Sequence, residues 1–166
     1  MTLAPQNDGT PQSSADPLAR AIEWALRSVQ LGGGPFGAVV VHENRIVGEG
    51  HNRVTLDLDP TAHAEVVALR AAATTLGRFD LHGCVLYSSC EPCPMCLGAA
   101  HWSRVDRVVF AADRHDAARA GFDDAELYEE LQRELSERRL PLEQRLAEAG
   151  RTPFEAWAQH AGRTAY

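Results

Sequence analysis

At 166 residues, with 45% hydrophobic and 23% charged residues, the chain fits one compact domain with a core of its own. Its formal net charge is −7, every basic residue is arginine, and the one Arg pair, Arg138-Arg139, sits among Glu134, Glu137 and Glu143. This argues against a grip on long nucleic acid, where phosphate contacts dominate affinity, and no run approaches the roughly 20 apolar residues of a membrane span.

Residues 1–15 hold Pro, Gln, Asn, Ser and Thr without Lys, Arg or an apolar run, which reads as a disordered tail and not a signal peptide. Leu18, Ile22, Ala25, Leu26 and Val29 recur at helical spacing, predicting a helix from about Pro17 to Leu31, capped by Asp16 and ended by Gly32. Strands over Phe36–Val41 and Arg45–Glu49 flank a predicted turn at His42-Glu43-Asn44. Asp59-Pro60-Thr61 reads as the start of a helix that runs to Leu76 and closes at Gly77. A short strand at Cys84–Ser88, a helix from Pro94 to about Trp102 and a strand at Arg107–Ala111 follow. Downstream come a charged helix over Asp124–Ser136, a weakly alternating fifth strand at Leu140–Leu146, and a last helix over Pro153–Ala161. Alternating helices and strands predict an α/β domain over 16–166, its partly parallel sheet covered on both faces.

The four cysteines are Cys84, Cys90, Cys93 and Cys96. Three within seven residues are too crowded for a secreted disulfide framework; in a cytoplasmic chain they suggest metal binding. Two segments carry the chemistry: His63-Ala64-Glu65 and Glu91-Pro92-Cys93-Pro94-Met95-Cys96. Both fall at predicted helix N-termini, where Cys93 and Cys96, three apart, can aim both sulfurs at one point. The positive helix end favours the thiolate that binds metal. His63 supplies a third ligand, leaving a fourth tetrahedral position for water, as in a catalytic zinc site. Zinc lowers the pKa of such water from 15.7 to about 7, and Glu65, two residues from His63, is placed to move its proton. A closed Cys3His site with Cys90 as fourth ligand is the rival arrangement, and it leaves Glu65 without a task. Cys84 and Cys90 otherwise read as small buried hydrophobes, and the remaining histidines as solvated or locally bonded, with His51 and His101 nearest the site.

These segments match H-x-E … P-C-x-x-C, the signature of zinc nucleobase deaminases, and the chain resembles the cytidine deaminase superfamily. Within it, the chain is similar to the bacterial guanine deaminases from about Ala21 to Tyr166. Gly34-Pro35-Phe36-Gly37-Ala38-Val39 and Asp59 to Glu65 carry the likeness, with Ser89 to Ala99, Ala120-Gly121-Phe122-Asp123-Asp124, Pro153-Phe154 with Ala156-Trp157, and Tyr166. The resemblance implies a three-layer α/β/α sandwich around a five-stranded mixed sheet, one zinc per subunit and zinc-hydroxide hydrolysis of guanine to xanthine and ammonia. It further implies a homodimer that exchanges its segment from about residue 140 to 166, with Tyr166 closing over the partner's site. Phe36 would stack on the purine, Asn52 and Asp124 would bond its edges, the Ala64 backbone would assist, and Trp102 would line the pocket near the tail. In relatives a bulkier pair stands where this chain has Ala100-His101.

From the residues alone, Asp123 and Asp124 could be plain helix caps, Phe36 core, Asn52 a loop stabiliser and Tyr166 a frayed end. The substrate alternatives are other small amino-heterocycles (guanosine, cytosine, ammeline) and the adenosine of a tRNA anticodon. A zinc-stabilised binding module without catalysis is the reading from another class, and the intact Glu65 argues against it.

Overall fold

Asp16 opens the first helix, α1 (Pro17–Gln30): its carboxylate accepts from the Leu18 N–H at 2.9 Å, and Pro17 fills a first-turn position that needs no N–H. The computed structural model describes residues 16–122 and 124–166; the predicted tail over 1–15 and the candidate cap Asp123 lie outside the described residues. Two strands follow, β1 (Gly37–His42) and β2 (Arg45–His51), paired antiparallel with His42 opposite Arg45. Only Glu43 and Asn44 remain in the turn, with φ of 48° and 60°. It is a two-residue turn of the left-handed kind that matches strand twist, shorter than the three residues predicted.

Past the hairpin, the helix predicted to start at Asp59 starts later. The Asp59 carboxylate accepts from both the N–H and the hydroxyl of Thr61, a local turn that holds Pro60 and Thr61 outside the helix. The chain first makes an unpredicted single turn, α2 (Val54–Asp57), clamped by two Arg53–Asp57 hydrogen bonds of 2.7 and 2.6 Å. The helix proper, α3, spans Ala64–Leu76 and ends on Gly77. Then come β3 (Cys84–Cys90), α4 (Pro94–Ser103), β4 (Arg107–Ala112), the unpredicted α5 (Arg114–Arg119), α6 (Asp124–Gln132) and α7 (Thr152–Gln159). The α6 helix stops four residues short of the predicted Ser136.

Strand order is β2-β1-β3-β4, with β3 antiparallel to β1 and parallel to β4, so the sheet is mixed as expected. It has four strands, not five. Residues 140–146 are irregular and exposed: Pro141 has no N–H to donate, Leu146 sits at φ +53°, and nothing within the described chain pairs with them. As a result β4 is one edge of the sheet and β2 the other.

Helices cover both faces, giving the three expected layers. On one face Arg20 of α1 donates to Glu49 of β2 at 2.6 Å, and the Trp24 indole N–H donates to the same carboxylate at 2.9 Å. On the other, Ala38, Val40 and Leu86 pack against Ala64, Ala68, Leu69 and Ala72 of α3 and Ala100 of α4. Fully burying side chains such as Leu81 and Leu86 stabilises the domain by about 1.5–3 kcal/mol each. The α3–β2 approach is close because Gly48 and Gly50 face the helix's alanines; a Cβ at Gly50 would stand 2.4 Å from the Ala64 carbonyl oxygen. Among the described residues no helix is long and apolar enough to cross a membrane.

Candidate active site

The N-cap positions of α3 and α4 are His63 and Cys93, residues that make no side-chain cap hydrogen bond. Ser, Thr, Asp or Asn would ordinarily stand there; here both side chains turn to a common point. Pro94 begins α4, and Cys96, one turn in, brings its sulfur back toward the same point. His63 Nδ1 lies 3.6 Å from Cys93 Sγ and 3.5 Å from Cys96 Sγ, and the three ligand atoms all lie within 4.8 Å of one another. Zn–S and Zn–N bonds of about 2.3 and 2.05 Å at a tetrahedral angle would put sulfur and nitrogen about 3.6 Å apart. The cluster therefore fits a tetrahedral zinc ion with three protein ligands.

The two sulfurs differ electrostatically: the hydrogen bond to Cys93, with burial, pushes Cys96 well up, so it keeps a proton that a bound metal would displace. The hydrogen bond from Cys96, joined by His63, holds Cys93 down to about 4 against burial, which favours the thiolate at that sulfur. Its hydrogen bond with Cys93 raises His63. Cys90 is elsewhere: its thiol donates to the Asp113 carbonyl at 3.5 Å, and burial pushes it up to about 11. It is outside the cluster, which offers three protein ligands, and Cys84 is fully buried in the core.

Glu65, 5% exposed, sits in the first turn of α3. The Ser88 hydroxyl from β3 donates to its Oε1 at 3.2 Å, and the Cys96 thiol reaches its Oε2 at 3.4 Å. Burial raises its pKa, which suits a carboxyl that must both take up and release a proton.

A cavity of about 260 Å³ opens over these groups. Of the predicted residues, His63, Glu65, Cys93, Phe36, Asn52 and Asp124 line it. Cys96 is fully buried behind it, and Ala64 is fully buried with its backbone N–H among the first-turn donors of α3. Asn52 is held hard: its Oδ1 accepts from the N–H groups of Gly34 and Val54, both at 3.3 Å. Its carbonyl accepts from Ser28 Oγ at 3.1 Å and lies 3.1 Å from His51 Nδ1. His51, stacked on Trp24 and lowered in pKa by burial, thus backs Asn52 and is no ligand. Asp124 enters as the first residue of α6.

Trp102 and Tyr166 are not brought to this cavity. Trp102 is 66% exposed at the end of α4, and Tyr166 rests against it and Phe79, ring centroids 5.9 and 6.5 Å apart. Val54, Thr55, Glu91 and Phe122 line the cavity without having been predicted to. Phe122 stood inside the Gly121-Phe122-Asp123-Asp124 segment, and a residue after a helix-ending glycine was the available signal. Glu91 stood beside the metal motif, but its partner Arg114, bonded through Nε and Nη2, is 23 residues away with no signal linking them. Arg114 in turn lies 3.7 Å over the Tyr128 ring, and the Tyr128 hydroxyl donates to the Pro92 carbonyl at 2.7 Å, tying α6 to the metal loop.

Comparison with known proteins gives this geometry its relatives. Residues 12–112 match the family model of the cytidine and deoxycytidylate deaminase zinc-binding region. The chain is 49% identical over 150 residues to a guanine deaminase of Bacillus subtilis, covering 90% of this chain and 96% of that one. An X-ray structure of guanine deaminase from Bacillus subtilis superposes with a TM-score of 0.87 at 48% identity, covering 90% and 96% of the two chains. A tRNA-specific adenosine deaminase of Haemophilus influenzae is 41% identical over 118 residues, 68% of each chain.

Proposed function

The chain belongs to the cytidine and deoxycytidylate deaminase family and, within it, to the guanine deaminases, and from that membership we propose that it hydrolyses guanine to xanthine and ammonia. The observation that carries the proposal is the single cavity that joins the His63–Cys93–Cys96 cluster and Glu65 to Phe36, Asn52 and Asp124. At about 260 Å³ it suits one purine base. The acidic balance of the chain favours a free base over a polynucleotide.

His63, Cys93 and Cys96 would hold one zinc ion per subunit, which when bound would supply Lewis-acid activation of the attacking water. The protein's own groups do the rest. Phe36 stacks on the purine. With Oδ1 taken up by two backbone donors, Asn52 offers its Nδ2 hydrogens to a ring acceptor. Asp124 accepts an imidazole N–H, which disfavours a nucleoside whose sugar replaces that hydrogen. Glu65 takes one proton from water as the C2–O bond forms and passes it to the ring nitrogen, then takes the second from the new C2 hydroxyl and delivers it to the amine as the C2–N bond breaks, with the Ala64 N–H as an added donor. Water and guanine become xanthine and ammonia.

The dimer belongs to the same reading. Residues 139–166 are exposed throughout, including Leu140, Leu146 and Phe154 at 73–80%, and β4 ends the sheet with an unpaired edge. An exchanged C-terminal segment would cover this apolar surface and carry Tyr166 away from its own Trp102 to the partner's cavity. Four free cysteines suit a cytoplasmic setting.

The test is ammonia release from guanine by zinc-loaded protein, with guanosine, cytosine, ammeline and tRNA as the panel. Glu65→Gln should retain zinc and lose about 10²- to 10⁴-fold in kcat, the range of general acid–base catalysis. No zinc-dependent release from guanine would overturn the proposal, and near-normal turnover by the variant would remove Glu65 from its role.

A further inference from the structure

On the far side of the active cavity lies a second hollow, an apolar groove of about 360 Å³ between α1 and α5. Its sides are Ile22, Leu26 and Val29 of α1 and Ala117 of α5, and the outer end of β4 is its floor. Among the described residues, Phe36 and Phe122 are the two that line both hollows. Their rings meet edge to face, centroids 4.8 Å apart at 81°. Two rings in that arrangement form a wall one aromatic layer thick.

The two halves of the wall are held differently. Phe36 is fixed by its backbone: its N–H donates to the Gly34 carbonyl and its carbonyl accepts from the Asn52 N–H, so it cannot shift without dragging Asn52. Phe122 stands on the connection between two helices. Gly121, at φ +91°, ends α5, and the Phe122 N–H closes that end on the Ala117 carbonyl at 3.1 Å. Glycine is needed there because a side chain at that φ is strained. The turn delivers the Phe122 ring to the wall and, two residues on, Asp124 to the lining of the same cavity.

We propose that Phe122 is a specificity-determining residue, the partition that keeps the active cavity from opening into the α1–α5 groove and so excludes purines carrying an apolar group at C8. This rests on the reading of the site as a guanine deaminase in which Asp124 takes an imidazole N–H. C8 lies between the two imidazole nitrogens, so a purine bonded to Asp124 through either of them directs its C8 position at the wall that Phe122 shares with Asp124. A hydrogen there fits; an alkyl chain meets the ring.

The experiment compares guanine with 8-butylguanine, which keeps both imidazole nitrogens unsubstituted, using zinc-loaded full-length protein and ammonia release. The wild type should prefer guanine by about 100-fold or more in kcat/KM, the scale at which a tight apolar wall rejects extra methylenes. Phe122→Ala should bring the ratio to within about tenfold while its activity on guanine falls by no more than about tenfold, because the butyl group gains the groove. If the alanine variant does not fold, Phe122→Leu is read instead, with partial narrowing expected. A ratio unchanged in the folded variant, or a wild type that already turns over 8-butylguanine as fast as guanine, overturns the partition. A wild type inactive on guanine itself overturns the underlying reading, and the partition with it.

Discussion

Replacing Gly50 with alanine perturbs the site from behind, through packing alone. The added Cβ would stand 2.4 Å from the Ala64 carbonyl oxygen, 2.7 Å from the Ala68 nitrogen and 3.0 Å from the Val67 Cβ. Ordinary van der Waals contact begins near 3.4 Å, so the backbone of the first turn of α3 must retreat by about 1 Å. Overpacking of this kind destabilises by about 1–3 kcal/mol, which for a domain of this length lowers Tm by about 3–10 °C. The functional cost should be larger than the stability cost suggests. The displaced turn carries Glu65 and follows directly on His63, and a 1 Å misplacement of catalytic groups can cost about 100-fold. Gly48→Ala is the matched control: its Cβ would stand 2.3 Å from the Ala68 carbonyl oxygen and 2.6 Å from the Ala72 nitrogen, one turn farther from the site. Both variants should lose similar Tm by calorimetry, while kcat on guanine falls about 10- to 100-fold further in Gly50→Ala. Equal kcat at equal zinc content would show that the position of the α3 N-terminus is not what the tight contact with β2 protects.

Three further outcomes follow from the geometry. Cys90→Ala should retain zinc, measured by metal analysis, because its thiol serves the Asp113 carbonyl and not the cluster; loss of the metal would restore Cys90 as a ligand. Burial raises Glu49, but the Arg20 and Trp24 hydrogen bonds more than offset this and depress its pKa, so its contribution is present above the ordinary carboxylate range and is lost as pH falls through the lowered value. Glu49→Gln should therefore reduce stability at neutral pH and flatten the acid limb of the stability profile; an unchanged acid limb refutes the assignment. Finally, Glu65→Gln chains and chains lacking Tyr166, each nearly inactive alone, should recover about one quarter of wild-type activity on co-refolding if the terminal tyrosine acts across a two-fold dimer. No recovery would place the lid in its own subunit.

How much of this was legible in the sequence depended on how local each determinant is. Asp16, the hairpin and the two halves of the metal motif are set by residues within a few positions of one another, and they appear where the pattern placed them. Asp59 misled because an aspartate that caps a helix and one that closes a turn on Thr61 show the same local signature; the distinction lies in where the next residues must go, toward the metal. The α2 and α5 helices are too short for periodicity, although Asp113 and Asp116 form a capping box that could have revealed α5. The fifth strand failed for a different reason. Leu140, Leu142 and Leu146 alternate only weakly with their neighbours, Pro141 standing between the first two; alternation identifies a face, and a strand also needs an edge to pair with. Within one chain β4 and this segment do not meet.

The division inside the site has a physical cause. Metal binding asks only for helix N-termini, and the fold supplies two, whose cap positions are given over to His63 and Cys93 without any compensating cap bond. Those helix ends forgo the roughly 1 kcal/mol that a conventional cap contributes, and recover it only when the cluster is filled. Base recognition has no such local rule. The proposed base contacts come from Phe36 at the entry to β1, Asn52 at the exit of β2, and Phe122 and Asp124 at the junction of α5 and α6, residues that line one cavity. The junction is the weak point of that assembly, because it depends on Gly121 at a left-handed φ and on Arg114 and Tyr128 holding α6 against the metal loop. On the proposed reading, change in this family of sites should therefore be easiest at the junction: altering Phe122 would re-shape what the cavity accepts, while Glu65, buttressed by Ser88, is left as it was.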